Sequence, residues 1–373
     1  MVRSAVVEEF LHLVTIDSVS GEEQVLAHYL RGVLEGLDIM SWEDRAMPAG
    51  GVGPGNILAY LPGMIESPTV LFCAHMDTVV PGKGIIPVVR DGVIFSSGET
   101  ILGADDKAGI AAILELLRRL RSEPFPHVPI KVLFSVREEQ GLEGVKQLDM
   151  DSINADLGYV LDHAGEIGTM VLKGPRQNLI SASIIGRAAH AGVNPEKGIN
   201  AIQVAAQAIT AMRLGRIDEE TTANIGVIHG GEARNIVPER VTLKGEARSL
   251  NPDKLIVQTE HMLHCLNAAA EKAGASVDLE AELLYPEINL DPAERVVQVA
   301  KTAIEKMGIT AVYDQTGGGS DANILNQKGL PTLNLGIAMH DVHTCQEHIY
   351  IRDLENLAEL LHTIVRVLSG SEE

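Results

Sequence analysis

Cysteine is scarce in this chain and does not organise it. The three present, Cys73, Cys265 and Cys345, are scattered, odd in number and without Cys-x-x-Cys spacing. That argues against a disulfide framework and fits a reducing cytosol. Positive charge is also in deficit, with 30 Lys+Arg against 51 Asp+Glu and a net charge of −21. Nucleic acid and anionic membrane are therefore poor partners, and the plain reading is a solvated acidic surface. An anionic small substrate is not excluded, because local arginines override the global field. No apolar run reaches membrane-spanning length. The stretch Met1 to Phe10 lacks the uninterrupted apolar region of a signal peptide, so a cytoplasmic location is expected. Internal repeats, low-complexity segments and Gly/Ser-rich linkers are missing, as is the Gly-x-Ser-x-Gly elbow of a serine hydrolase.

What is present suits a globular protein. The length of 373 residues fits about two domains, and 45% apolar with 22% charged residues is ordinary for such a chain. The first third alternates helices (6–15, a second one opened by the capping-box pattern Ser20-Gly21-Glu22-Glu23, and 108–121) with strands (56–61, 69–74, 130–136, 157–161). This pattern predicts an α/β fold with a largely parallel sheet. From Gln177 the order becomes strand 179–186, helix 198–214, strands 223–229 and 240–249, helix 252–273 and strand 276–285. That βαββαβ order is the ferredoxin-like signature, and its open edges are candidates for pairing with a second copy. After Pro286 the α/β pattern resumes. The expected domains are thus 1–176 with 287–373, interrupted by an inserted domain at 177–286.

Chemistry concentrates where apolar strands end. Leu71-Phe72-Cys73-Ala74 runs into His75-Met76-Asp77, and core strands rarely end in two titratable groups that lack partners. Asp105 and Asp106 sit in Gly103-Ala104-Asp105-Asp106-Lys107-Ala108-Gly109, just before an apolar helix. A phosphate would be repelled there, and capping needs one aspartate rather than two, so the doubling favours a cation. A second strand ends in Glu138-Glu139 and a third in Asp162-His163. In open α/β sheets ligands bind beyond the carboxyl ends of the strands. This many carboxylates cannot share one small volume ionised without a cation. One histidine with several carboxylates suits zinc, with manganese or cobalt as substitutes. A late segment offers His340, His343 and His348 as a second imidazole, and chemistry alone does not choose among them.

Together these motifs resemble the two-zinc exopeptidase and aminoacylase family that includes glutamate carboxypeptidase, acetylornithine deacetylase and peptidase T. The likeness spans nearly the whole chain in motif order, and Gly103–Gly109 followed by Ile110-Ala111 is most similar to peptidase T and its tripeptidase-like relatives. The resemblance implies a zinc-exopeptidase-type mixed sheet with an inserted lid and dimerisation domain, and two zinc ions per subunit. It implies His75 and Asp162 on one ion, Glu139 and His343 on the other, and Asp106 bridging them, followed by a peptide bond that is often cis. Asp77 would orient His75, and Glu138 would be the general base. His190 would approach the scissile carbonyl and Asn235 would contact substrate. Arg248 and the loop Gly318-Gly319-Ser320 would grip a substrate carboxylate. The implied activity is hydrolysis of short peptides, tripeptides foremost, with a second copy of the chain as partner.

Three other readings compete. The first is a relative that acts on N-acyl amino acids or dipeptides. The second, a dinucleotide-binding oxidoreductase, rests only on Gly51-Val52-Gly53-Pro54-Gly55, where no helix pattern follows and Pro54 disfavours one. The third, a non-catalytic metal-binding scaffold, conflicts with retention of Glu138 and of every ligand.

Overall fold

A computed structural model of the chain describes residues 3–44 and 53–370. Met1 and Val2 of the amino-terminal stretch, and Gly51 and Val52 of the glycine-rich segment, lie outside the described residues. The chain divides into two compact units. The first comprises Met1–Leu172, Asn289–Gln315 and Ser320–Glu373; the second comprises Lys173–Ile288 and Thr316–Gly319. The α/β class read from the sequence holds. The short segment Thr316–Gly319 groups with the inserted unit, although the pattern had it in the resumed α/β stretch.

In the first unit the central strands lie in the order Ile130–Ser135, Val70–His75, Leu157–His163, Thr332–Gly336, and all are parallel. Antiparallel strands flank them, Ile57–Leu61 and Met40–Glu43 on one side and Thr169–Gly174 on the other. Every residue of Val70–His75 is buried, as expected of a parallel strand covered on both faces. One cover is the helix Ala104–Ser122, whose Ile110, Ala111, Ile113, Leu114, Leu116 and Leu117 are all buried. Its alanines let it lie close to the sheet, while helices Ala5–Leu13 and Ile351–Leu368 pack on its other side.

The register places the chemistry. His75 lies opposite Ser135, Cys73 opposite Val160, and Gly336 opposite His163. Four parallel strands thus release their chains at one edge, each into a loop bearing titratable groups. A second sheet, not foreseen from the sequence, runs Met339–His340, His348–Tyr350, Val93–Ser96, Pro87–Arg90. Its strands are two to four residues long, too short to carry a period. It turns residues 341–347 into a loop between paired strands, with His340 opposite His348.

The second unit is built as its pattern implies. Its sheet has strands Thr221–Gly230, Arg240–Ser249, Arg176–Ile185 and Ser276–Tyr285 side by side, all antiparallel. Ile180, Ala182 and Ile184 alternate inward and pack with Val204, Ala205, Met262 and Leu266 of helices Ala201–Ala211 and Pro252–Ala273. Only one face of this sheet is apolar, which explains the clean two-residue alternation. Among the described residues no helix is long and apolar enough to cross a membrane.

Candidate metal centre

At the carboxyl edge of the parallel strands, three overlapping groups of ligand atoms lie within 4.8 Å of one another: His75 with Asp105 and Asp162, His75 with Glu138 and Glu139, and Asp105 with Glu139 and His343. His75 Nε2 is 2.9 Å from Asp105 Oδ1 and 3.7 Å from Asp162 Oδ1. His343 Nε2 is 3.2 Å from Asp105 Oδ2 and 2.8 Å from Glu139 Oε1. The two imidazoles therefore meet opposite oxygens of one carboxylate. Of the three late histidines only His343 reaches this cluster among the described residues. The rings of His340 and His348 stack on each other with centroids 4.9 Å apart.

The carboxylate between the imidazoles is Asp105, not Asp106, which corrects the position expected from the motif by one residue. The cause is local backbone geometry. The Asp105–Asp106 peptide bond is cis, and both residues have non-helical φ/ψ at the head of the helix. The two side chains consequently diverge. Asp106 turns back to accept from the backbone N–H of His75 through Oδ2 at 3.1 Å and of Gly109 through Oδ1 at 3.2 Å. A Cβ on Gly109 would lie 2.4 Å from that Oδ1, so the last glycine of the motif makes room for the acceptor. Asp106 thus ties the helix to the strand that carries His75.

Asp77 acts as a clamp. His75 Nδ1 lies 2.9 Å from the Asp77 backbone oxygen and 3.5 Å from its carboxylate. Nδ1–H donates to that carbonyl, and Nε2 is left facing the carboxylates. The Asp77 carboxylate accepts the backbone N–H of Glu138 at 2.9 Å and of Glu139 at 3.2 Å, and the Ser20 hydroxyl at 2.7 Å. Ser20 was read as half of a capping box, but the helix Gln24–Gly36 starts with Glu23 as N-cap and no side-chain cap. Its hydroxyl braces the centre instead, a role for which spacing carries no signal.

Electrostatics show why this cluster fits cations. Burial pushes Glu138 well above the usual carboxylate range, with the Asp162 charge adding to the shift, and burial raises Asp162 to about 8. Burial opposes a proton on His75, yet hydrogen bonds to Asp105, Asp162 and Asp77 outweigh it and hold the ring well above its ordinary value. Hydrogen bonds to Asp105 and Glu139 raise His343 to about 10. Burial would raise Asp105 too, but hydrogen bonds from His343 and His75 hold it below its usual value. Without metal, protons on imidazoles supply the countercharge. Two imidazole nitrogens with several carboxylate oxygens form a donor set suited to zinc, cobalt or manganese. Each ligand binds a cation only after losing its proton. Cation uptake at pH 7 is therefore expected to release protons, with the apparent affinity weakening about tenfold per pH unit for each proton displaced as the pH falls. Calorimetric titration in buffers of different protonation enthalpy counts them, and a count of zero would show that these groups have already lost their protons at pH 7.

The second unit carries the remaining candidates. His190 is exposed and pairs with Ile236 in an isolated bridge. The Ala191 N–H donates to the Asn235 carbonyl at 3.0 Å, so His190 and Asn235 belong to one local structure. The Gly192 N–H donates to His190 Nδ1 at 3.2 Å, leaving Nε2 as the protonated nitrogen of a neutral ring. Arg248 is held in a two-pronged pair with Glu246, both contacts at 3.0 Å, and donates through Nη1 to the Gly317 carbonyl at 3.3 Å. Gly319 packs against the Tyr285 ring, where a Cβ would come within 2.3 Å. The Gly318 N–H donates to Thr316 Oγ1 at 3.1 Å, and that of Ser320 to Asn323 Oδ1 at 2.9 Å. Two of the three amides expected to hold a substrate carboxylate are thus engaged within the chain.

Residues 71–367 match the model of peptidase family M20/M25/M40. The chain is 43% identical to the Bacillus subtilis protein YqjE, over 96% of both chains. It is similar to the solved structure of the aminopeptidase PepT from Bacillus cereus, with 43% identity, 98% of each chain covered and a TM-score of 0.86. It is also similar to that of a tripeptidase from Staphylococcus aureus, with 39% identity, 98% of each chain covered and a TM-score of 0.92. A match over most of the length, two full-length structural likenesses and a carboxylate cluster at the sheet edge agree: the chain belongs to peptidase family M20/M25/M40.

Proposed function

We propose that the chain is a two-metal aminopeptidase that cleaves tripeptides. The observation that carries the reading is Asp105, whose two oxygens face His75 on one side and His343 on the other. His75 and Asp162 would hold one divalent cation, Glu139 and His343 a second, with Asp105 shared. When bound, such a pair supplies a Lewis acid for the carbonyl and lowers the pKa of water from 15.7 toward ~7. Zinc is the preferred ion on donor chemistry, and the names of the two similar structures support the substrate class.

Glu138 supplies the proton transfer. Its backbone is fixed by Asp77, and its side chain is buried with a raised proton affinity, so it can take a proton from the attacking water and return it to the leaving amine. His190, donating through Nε2, would stabilise the oxygen of the tetrahedral species. Asn235 would contact the substrate. Arg248, oriented by Glu246, would grip a carboxylate with the rest of its fork, aided by the Gly318-Gly319-Ser320 loop through what remains of its donors. A second copy of the chain is the proposed partner through the inserted unit. Its strand Thr221–Gly230 supports this, with Val227 and Ile228 51% and 53% exposed. The free cysteines Cys73, Cys265 and Cys345 support a cytoplasmic location.

The decisive experiment assays the zinc-loaded protein on tripeptides, dipeptides and N-acetyl amino acids. The expected result is release of the amino-terminal residue from tripeptides, with kcat/KM at least about tenfold above the other classes, a margin of ~1.4 kcal/mol. Preference for N-acetyl amino acids would replace the proposal with the deacylase reading.

A further inference from the structure

Glu347 lies in none of the ligand groups, yet it is 1% exposed. It ends the loop between strands Met339–His340 and His348–Tyr350, the loop that carries His343. That loop is tied to itself: Thr344 N–H donates to Asp341 O at 3.3 Å, Thr344 Oγ1 to the same oxygen at 2.7 Å, and Glu347 N–H to Thr344 O at 3.1 Å. The Glu347 carboxylate then reaches the segment that carries Asp105. Oε2 accepts the N–H of Leu102 and of Gly103, both at 2.7 Å, and Oε1 accepts that of Asp105 at 3.1 Å. These donors precede the helix or sit in its unwound first turn, where backbone N–H groups lack partners and attract negative charge.

We infer that Glu347 is a positioning residue that sets the separation of Asp105 from His343 and thereby the affinity of the cation held on the His343 side. The Glu347 carboxylate bonds the backbone of Asp105 itself while its backbone N–H ties the end of the loop that carries His343, so the two ligands are fixed to each other through a single residue. His75 does not depend on it, because Asp77 and Asp106 hold that strand end. The His343 side also needs such a brace more. The His343 side chain is 49% exposed and that of His75 is 2% exposed, so packing alone orders the second imidazole less. The inference rests on the two-metal reading above.

Glu347→Gln tests it. The carboxamide has one acceptor. Its better arrangement keeps the oxygen on Leu102 and Gly103 and turns NH2 toward the Asp105 N–H, a donor facing a donor. Zinc is titrated calorimetrically into the metal-free protein, and metal content is measured after dialysis. The unsubstituted chain is expected to take up two equivalents; fewer would defeat the two-metal reading itself. In Glu347→Gln the weaker equivalent is expected to lose about 10–100-fold in affinity. The tighter one should stay within about threefold, with the melting temperature of the metal-free protein lowered by no more than the few degrees that one lost buried hydrogen bond accounts for. Excess zinc should restore kcat. Two unaltered affinities would overturn the inference. So would equal weakening of both with a large fall in melting temperature, which is the mark of a merely structural residue. Should Glu347→Gln fail to fold, Glu347→Asp keeps the charge but draws it back by one methylene. It should weaken the second equivalent selectively, and unaltered or equally weakened affinities there would overturn the inference in the same way.

Discussion

Glu138→Gln is expected to lower kcat by about 10²–10⁴-fold while leaving metal content and KM close to those of the unsubstituted enzyme. The glutamine keeps the shape of the side chain and its backbone N–H bond to Asp77, so the loop that presents Glu139 stays in place. It cannot accept and return a proton. A buried carboxyl whose proton affinity is raised by burial and by the Asp162 charge is a poor permanent ion and a good shuttle. Its desolvation is the feature that brings its working range toward neutral pH. Turnover at the normal rate, measured with metal content by atomic absorption, would remove Glu138 from the mechanism. A loss of metal in parallel with activity would make it a ligand instead.

Asp105→Ala and Asp106→Asn are expected to part sharply, although the residues are neighbours. Asp105 offers one oxygen to each imidazole, so its removal takes a shared ligand from both cations. Metal content should fall below two equivalents and kcat/KM by at least about 10³-fold, equivalent to ~4 kcal/mol of lost transition-state stabilisation. Among the described residues Asp106 bonds the backbone of His75 and Gly109, and burial holds its proton affinity well above the ordinary value. Asparagine is close to the protonated form of that side chain. It leaves one N–H facing an amide donor, a cost of about 1–3 kcal/mol in stability. Two cations should still bind, and denaturant unfolding should show the loss. Should Asp106→Asn lose metal and Asp105→Ala retain it, the assignment made from the structure would be reversed.

Much of the site was legible because its residues end apolar strands. His75, Glu138, Glu139 and Asp162 each follow a run that must be buried, and a parallel sheet releases such runs at one edge. Asp105 and Asp106 were legible as a pair but not as individuals. Spacing cannot tell which of two adjacent carboxylates faces a ligand when both stand in non-helical backbone at the head of a helix. His343 stood beside His340 and His348 as a chemical equal. The small second sheet separates them by stacking two on each other and placing the third in the loop. Ser20 and Glu347 gave no sign of the groups they bind, since a hydroxyl and a carboxylate bonded to distant groups look like any cap or surface acid.

The sequence by itself determined the α/β class, the βαββαβ insertion, the peptidase family motifs and the set of residue types available for chemistry. Periodicity and apolar runs are local properties, and local properties are written in the order of residues. Only the tertiary structure decided which oxygen meets which nitrogen. That choice depends on contacts such as Asp77 with Glu138, 61 residues away, Ser20 with Asp77, 57 away, and Glu347 with Asp105, 242 away. Hydrogen bonds reach only about 3 Å, and no pattern along the chain records which distant groups come within that reach.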